Sequence, residues 1–163
     1  MNPVNPSRHS EVTICYYMEG TREDRQTHLK QGFGFSCVCS TCQLTGAALK
    51  ESDTRQAIIK DLDDEIMQHA QRHAYSVAIS LVEKRISLMQ EEGLPAVWAK
   101  RTMSDAVQIC QMSGDAAGVS YWAMRQWELA VIAGGKDSPE SKDAEKMAGV
   151  SPSRGGKGRK NRK

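Results

Sequence analysis

Cys37, Cys39 and Cys42 form a C-x-C-x2-C cluster directly behind Phe33-Gly34-Phe35. Thiolates spaced this closely supply three corners of a tetrahedral zinc centre, with a fourth ligand arriving from elsewhere. His28 is the nearby imidazole available as a substitute fourth donor, with water as the other choice, though a lone histidine on such a helix reads first as solvent-facing. Cys15 alternates with Tyr16 on a β-branched run and reads as a small buried hydrophobe. His69 and His73 stand at i and i+4 but lack a third ligand and an H-E-x-x-H pattern, so both read as surface residues. The acidic run Asp61, Asp63, Asp64, Glu65 reads as a solvated helix face.

The elements that must carry this cluster are mostly helices. Pro3 and Pro6 make residues 1–10 a loop, and Val12-Thr13-Ile14-Cys15-Tyr16-Tyr17 has strand composition. Thr21-Arg22-Glu23-Asp24 has the form of a capping box, predicting a helix to about Gln31 that stops at Gly32. Ser52 is expected to cap a second helix over Asp53–Gln71, with Ile58, Ile59, Leu62, Ile66 and Met67 on one stripe and a joint at Arg72-His73. A third helix, about Ala74 to Glu92, is expected to be the most buried, with Leu81 and Val82 near the centre of the core. Pro95 opens the next, Ala96 to Met112, with Val97, Met103, Ala106, Val107 and Cys110 inward. Ser113-Gly114-Asp115 ends it and caps Ala116 to Ala133, which presents Tyr121, Trp122, Met124, Leu129 and Ile132. Ser138-Pro139-Glu140 opens a last short helix to about Met147.

The order strand, charged helix, aromatic pair and cysteine cluster over about residues 11–44 resembles the end of a SET domain followed by its post-SET zinc segment, as in SMYD-like and fungal SET proteins. Glu11-Val12-Thr13-Ile14-Cys15-Tyr16 is similar to the strand that closes the catalytic domain. Arg22 to Leu29 is similar to the helix leading to the cysteines. The resemblance implies a protein-lysine methyltransferase using S-adenosylmethionine. In it Tyr16 orients the target amine, Phe35 lies against the cofactor's adenine, and Cys37, Cys39 and Cys42 bind zinc. The family's asparagine-histidine cofactor motif, with the cysteine that completes its zinc site, lies upstream of the tyrosine strand. Asn2-Pro3-Val4-Asn5-Pro6 is not that motif. The expectation is therefore a C-terminal part of a SET protein that does not transfer methyl groups by itself.

The 163 residues, with 39% apolar and 26% charged side chains, suit one modest core built largely from helices. No apolar run is long enough for a membrane span and no signal pattern is present, and five cysteines, three of them clustered, favour metal binding in a reducing compartment. The net charge of +2 hides an asymmetry. Arg154, Lys157, Arg159, Lys160, Arg162 and Lys163 crowd the end, and without these six the 22 basic residues fall to 16 against 20 acidic. The segments ending at Gly93 and at Gly135 recur at about the size of a tetratricopeptide repeat.

The predicted architecture is mainly α: a strand remnant and zinc-binding post-SET segment, then a TPR-like antiparallel helical array. Its divisions are 1–20, the loop and last strand of a truncated SET domain; 21–50, the post-SET helix and zinc segment; 51–149, the array; and 150–163, a disordered basic tail. Expected partners are a protein substrate bearing the target lysine or a peptide on the array. Nucleic acid is expected only through the tail, and the expected location is nuclear or cytoplasmic. The competing reading is a zinc-binding helical interaction module without catalysis.

Overall fold

The computed structural model describes residue 17 and residues 20–149. Tyr16, Cys15, most of the expected strand and the basic tail lie outside the described residues. Helices hold 78% of those described, as six α-helices and a short 3-10 helix, and no strand occurs among them. No helix there is long and apolar enough to cross a membrane. The chain divides into two compact units, residues 1–57 and 58–163.

In the first unit α1, Arg22–Phe33, begins as its sequence dictates. Thr21 Oγ1 accepts the Asp24 amide at 3.3 Å, and the Thr21 amide donates to Asp24 Oδ2 at 2.9 Å. A Cβ on Gly20, whose φ is +80°, would lie 2.9 Å from Asp24 Cβ, so the glycine gives the capping box its room. The Arg22 amide donates to Asp53 Oδ1 at 2.7 Å, placing a carboxylate at the positive end of α1. The helix runs past the expected stop at Gly32. Gly34, not Gly32, takes the left-handed conformation at φ 77°, and its amide closes on the Lys30 carbonyl.

α2, Gly46–Gln71, begins earlier than the expected Asp53. Ser52 is not its cap but a fully buried residue inside it, with Gln56 buried one turn on. A helix-capping residue type thus sits mid-helix here because it faces a packed surface rather than water.

The second unit adds α3 (Tyr75–Glu91), a 3-10 turn (Ala96–Ala99), α4 (Lys100–Ser113), α5 (Ala116–Gly134) and α6 (Pro139–Ala148). α3 packs on α4, α4 on α5 and α5 on α6. The caps follow the sequence closely. Asp115 Oδ1 accepts the Gly118 amide, Ser138 Oγ accepts the Ser141 amide, and Gly114 and Gly149 end their helices with positive φ. Ile59, Ile66 and Ala70 of α2 join Ala78, Val82, Ile86, Met89, Met103, Val107 and Trp122 in one core. Ala78, Ala106 and Ala123, one each from α3, α4 and α5, have no exposure at all. Side chains this small mark where these three helices contribute their tightest packing.

Three expectations need correcting. α4, not α3, is the most buried of the helices beyond residue 74, with six buried residues in fourteen against four in seventeen. Val97 is exposed, since its segment is a 3-10 turn with a different side-chain period from the α-helix assumed for it. Met67, Tyr121 and Ile132 also face outward.

The acidic stretch on α2 is only partly solvated. Asp63 pairs with Arg85 at 2.9 Å and with Arg101 at 3.6 Å. Arg85 also donates to the Ile59 carbonyl at 3.0 Å and to Thr102 Oγ1, so one guanidinium ties α2, α3 and α4. Burial, and then the charge of Asp63, push the Asp105 carboxyl above its ordinary value, against Arg101 and Arg85. Folding therefore favours protonated Asp105. That contribution is present below the unfolded-state pKa and lost as pH rises through the folded one.

Two predictions follow from this packing. Val82 is fully buried and Leu81 only partly, so Val82→Ala should cost about 2 kcal/mol and Leu81→Ala less, read from urea unfolding midpoints. The reverse order would misplace the α3 face. Asp105→Asn should raise stability at neutral pH, with the gain vanishing as pH falls below the ordinary carboxylate range. A gain that grows on acidification would contradict this sign.

Candidate metal centre

α1 has little apolar surface and buries only two residues, Arg25 and Leu29. Its polar side chains do the attaching. The Gln26 amide grips the backbone of Cys37 at both ends: Nε2 donates to the Cys37 carbonyl at 2.7 Å, and the Cys37 amide donates to Oε1 at 3.0 Å. From there the chain makes a helical turn in which the Gln43 amide reaches the Cys39 carbonyl at 3.0 Å. That turn folds Cys42 back beside Cys37 and Cys39.

The three Sγ atoms all lie within 4.8 Å of one another. Sulfurs bound at about 2.3 Å to one tetrahedral ion stand about 3.8 Å apart, so this set fits zinc with small adjustments. Cys42 is buried, Cys37 half-buried and Cys39 exposed, giving a centre with one protected and one open side. His28 does not join the thiols. Its ring stacks on Tyr17 at 3.9 Å between centroids, and a tilted row continues through Phe33 to Phe35, each step 6.4 Å. Among the described residues no histidine or carboxylate completes the set of three sulfurs.

The electrostatics of the turn favour a thiolate at Cys39. Burial pushes its thiol up. The backbone amides of Cys42 and Thr41, with the thiols of Cys37 and Cys42, outweigh that and leave it below its ordinary value. Burial pushes Cys42 up to about 11, against the Arg25 side chain that faces it and helped by the charge of Cys39. A thiolate-stabilising turn of this kind suits a metal ligand, since a metal-bound thiolate's remaining charge must be met by donors.

The expected surface histidines belong to the second unit. His73 bonds Tyr75 Oη at 2.7 Å and takes a positive φ of 59° at the joint after α2, while His69 is half-buried on α2. Cys110, the fourth described cysteine, is buried in the second unit, its thiol raised by burial and then by Asp115, as befits a core residue. Phe35, two residues before Cys37, is more than a third exposed. Arg25 and Gln26 were not singled out from sequence. The signal available was a helix too polar to dock by apolar burial, which obliges its polar residues to do so.

Comparison of the chain with protein-family models, curated proteins and solved structures returns no match.

The geometry predicts one zinc per chain. Cys39→Ser should weaken binding at least tenfold while leaving the helix content of residues 58–149 intact, read by metal analysis and circular dichroism. Because Cys42 must lose a proton whose pKa is about 11, apparent affinity should rise with pH across neutrality, by about one decade per unit for each proton displaced. A pH-independent affinity would remove Cys42 from the ligand set.

Proposed function

We propose that this chain is the metal-binding post-SET segment and helical C-terminal part of a SET-type protein-lysine methyltransferase that uses S-adenosylmethionine. The observation carrying the reading is the gathered trio Cys37, Cys39 and Cys42 after α1, with Phe35 two residues before it in the chain. The resemblance assigns just these positions to zinc and to the adenine face of the cofactor, and Tyr16, outside the described residues, to the target amine. Zinc here is structural: its thiolates fasten the loop after α1 so that Phe35 is held at a fixed place. Methyl transfer by direct displacement requires donor and amine in line, so it depends on positioning. The described residues supply a metal knot and one aromatic platform, with no group assigned to the methionine end of the cofactor. The chain by itself is therefore proposed to be inactive.

A second reading is a zinc-knotted helical module that binds a peptide or protein along stacked helices of TPR-like character. It is favoured by the apolar side chains the second unit leaves in water, above all Ile132 at 80% exposure, with Tyr121, Met112 and Val97.

Calorimetry with S-adenosylmethionine, paired with radiolabelled methyl transfer to histone peptides, tests both readings. The chain alone should bind no cofactor and transfer at background. Restored transfer on adding the N-terminal part of a related SET protein would support the first reading. Transfer by the chain alone, abolished by Tyr16→Phe, would show that it completes a catalytic cleft.

A further inference from the structure

Cys39 and Cys42 stand three residues apart on a single helical turn, closed by the Gln43 amide on the Cys39 carbonyl at 3.0 Å. Their sulfurs lie within 4.8 Å of each other. The two thiols differ in access: Cys39 is exposed and follows Val38, itself 73% exposed, whereas Cys42 is 5% exposed. Cys37 is half-buried, and Gln26 holds its backbone at both ends. An open sulfur next to a covered one is the arrangement in which an oxidant meets the first and the second resolves it. A bond from Cys39 to Cys37 would instead close the much smaller C-x-C ring, where relaxed disulfide geometry is harder to reach.

We propose that Cys39 and Cys42 form a peroxide-responsive dithiol switch that opens the metal centre. Hydrogen peroxide meets the exposed Cys39 sulfur. The O–O bond breaks, one oxygen stays on the sulfur as a sulfenic acid, and the other leaves as water. The Cys42 sulfur then attacks the Cys39 sulfur: the S–S bond forms, the S–O bond breaks, and the hydroxyl leaves with the Cys42 proton as water. Two thiols thus lose two electrons and two protons, and the peroxide is reduced to two waters. When an ion is bound and the thiolates carry no proton, solvent supplies the two protons. The disulfide withdraws two of the three sulfurs, and Cys37 alone does not retain the ion. A small dithiol reverses the change by attacking the exposed Cys39 sulfur. Release of the ion rests on the metal reading of Cys37, Cys39 and Cys42; the pairing of the thiols does not.

The test treats the full chain with hydrogen peroxide, metal-free and zinc-loaded, and locates disulfides by differential alkylation and peptide mass spectrometry. The metal-free chain should gain one disulfide, Cys39–Cys42, which dithiothreitol reverses, with Cys37 and Cys110 recovered as free thiols after denaturation. The zinc-loaded chain should release its ion to a chelating dye in step with that bond. Cys42→Ser should hold Cys39 as a sulfenic acid that dimedone labels, and Cys37→Ser should form the bond at a rate within about threefold of wild type. Circular dichroism checks that both variants keep the helices of residues 58–149. A bond that uses Cys37 or Cys15 in place of this pair would overturn the proposal. So would passage of wild-type Cys39 straight to sulfinic acid, or a metal-free chain that peroxide leaves unchanged. These wild-type outcomes decide the pairing even where a variant does not fold. A zinc-loaded chain that forms the disulfide yet keeps its ion would overturn the switch. A chain that binds no zinc at all would instead remove the metal reading and the release with it, and the metal-free result would still decide the pairing.

Discussion

The amide of Gln26, bonded twice to the backbone of Cys37, is the contact on which the first unit depends. Without it α1 has only Leu29 as a buried apolar anchor, and in the loop from Gly34 to Thr45 only Cys42 is fully buried. With it, the chain enters the cysteine turn in a fixed register, and the turn gathers Cys42 with Cys37 and Cys39. A small unit with so little apolar burial is the kind of fold that gains most from a metal, because the ion replaces core contacts it does not have.

The second unit is stabilised differently. Its helices meet through an apolar core in which Ala78, Ala106 and Ala123 set the closest packing and Trp122 fills the largest space. Where polarity enters, it is used as a tie: Arg85 satisfies a carbonyl of α2, a carboxylate of α2 and a hydroxyl of α4 at once. The cost of holding Asp105 near Asp63 is partly offset by the same arginine and by Arg101. One unit is thus organised by a thiol cluster and the other by apolar packing, and a lesion in either has a distinct signature.

Local chemistry was legible in the sequence wherever a residue type allows few conformations. Thr21 with Asp24, Asp115, Ser138 with Pro139, Gly114 and the Arg72-His73 joint all fall where capping and turn rules put them. The C-x-C-x2-C spacing likewise sufficed for the thiol cluster, since a six-residue segment cannot carry its three sulfurs far apart. Apolar stripes on α2 and α3 foretold which face is buried, with Ile59, Leu62, Ile66, Val82 and Ile86 inward.

Tertiary structure alone decided the rest, for physical reasons that spacing does not encode. Gly32 and Gly34 are equally able to adopt positive φ, and only the path toward the cysteine turn selects Gly34. Ser52 is a good cap by type, but a buried neighbour surface makes it an interior residue of a longer helix. Which helix is most buried is a property of the assembly and not of any one stripe: α4 buries six of its fourteen residues, more than the wider apolar stripe of α3. The roles of Arg25 and Gln26 arise the same way: in a solvated-looking helix one becomes a buried side chain bonded to the Gly20 carbonyl and the other a clamp on the Cys37 backbone.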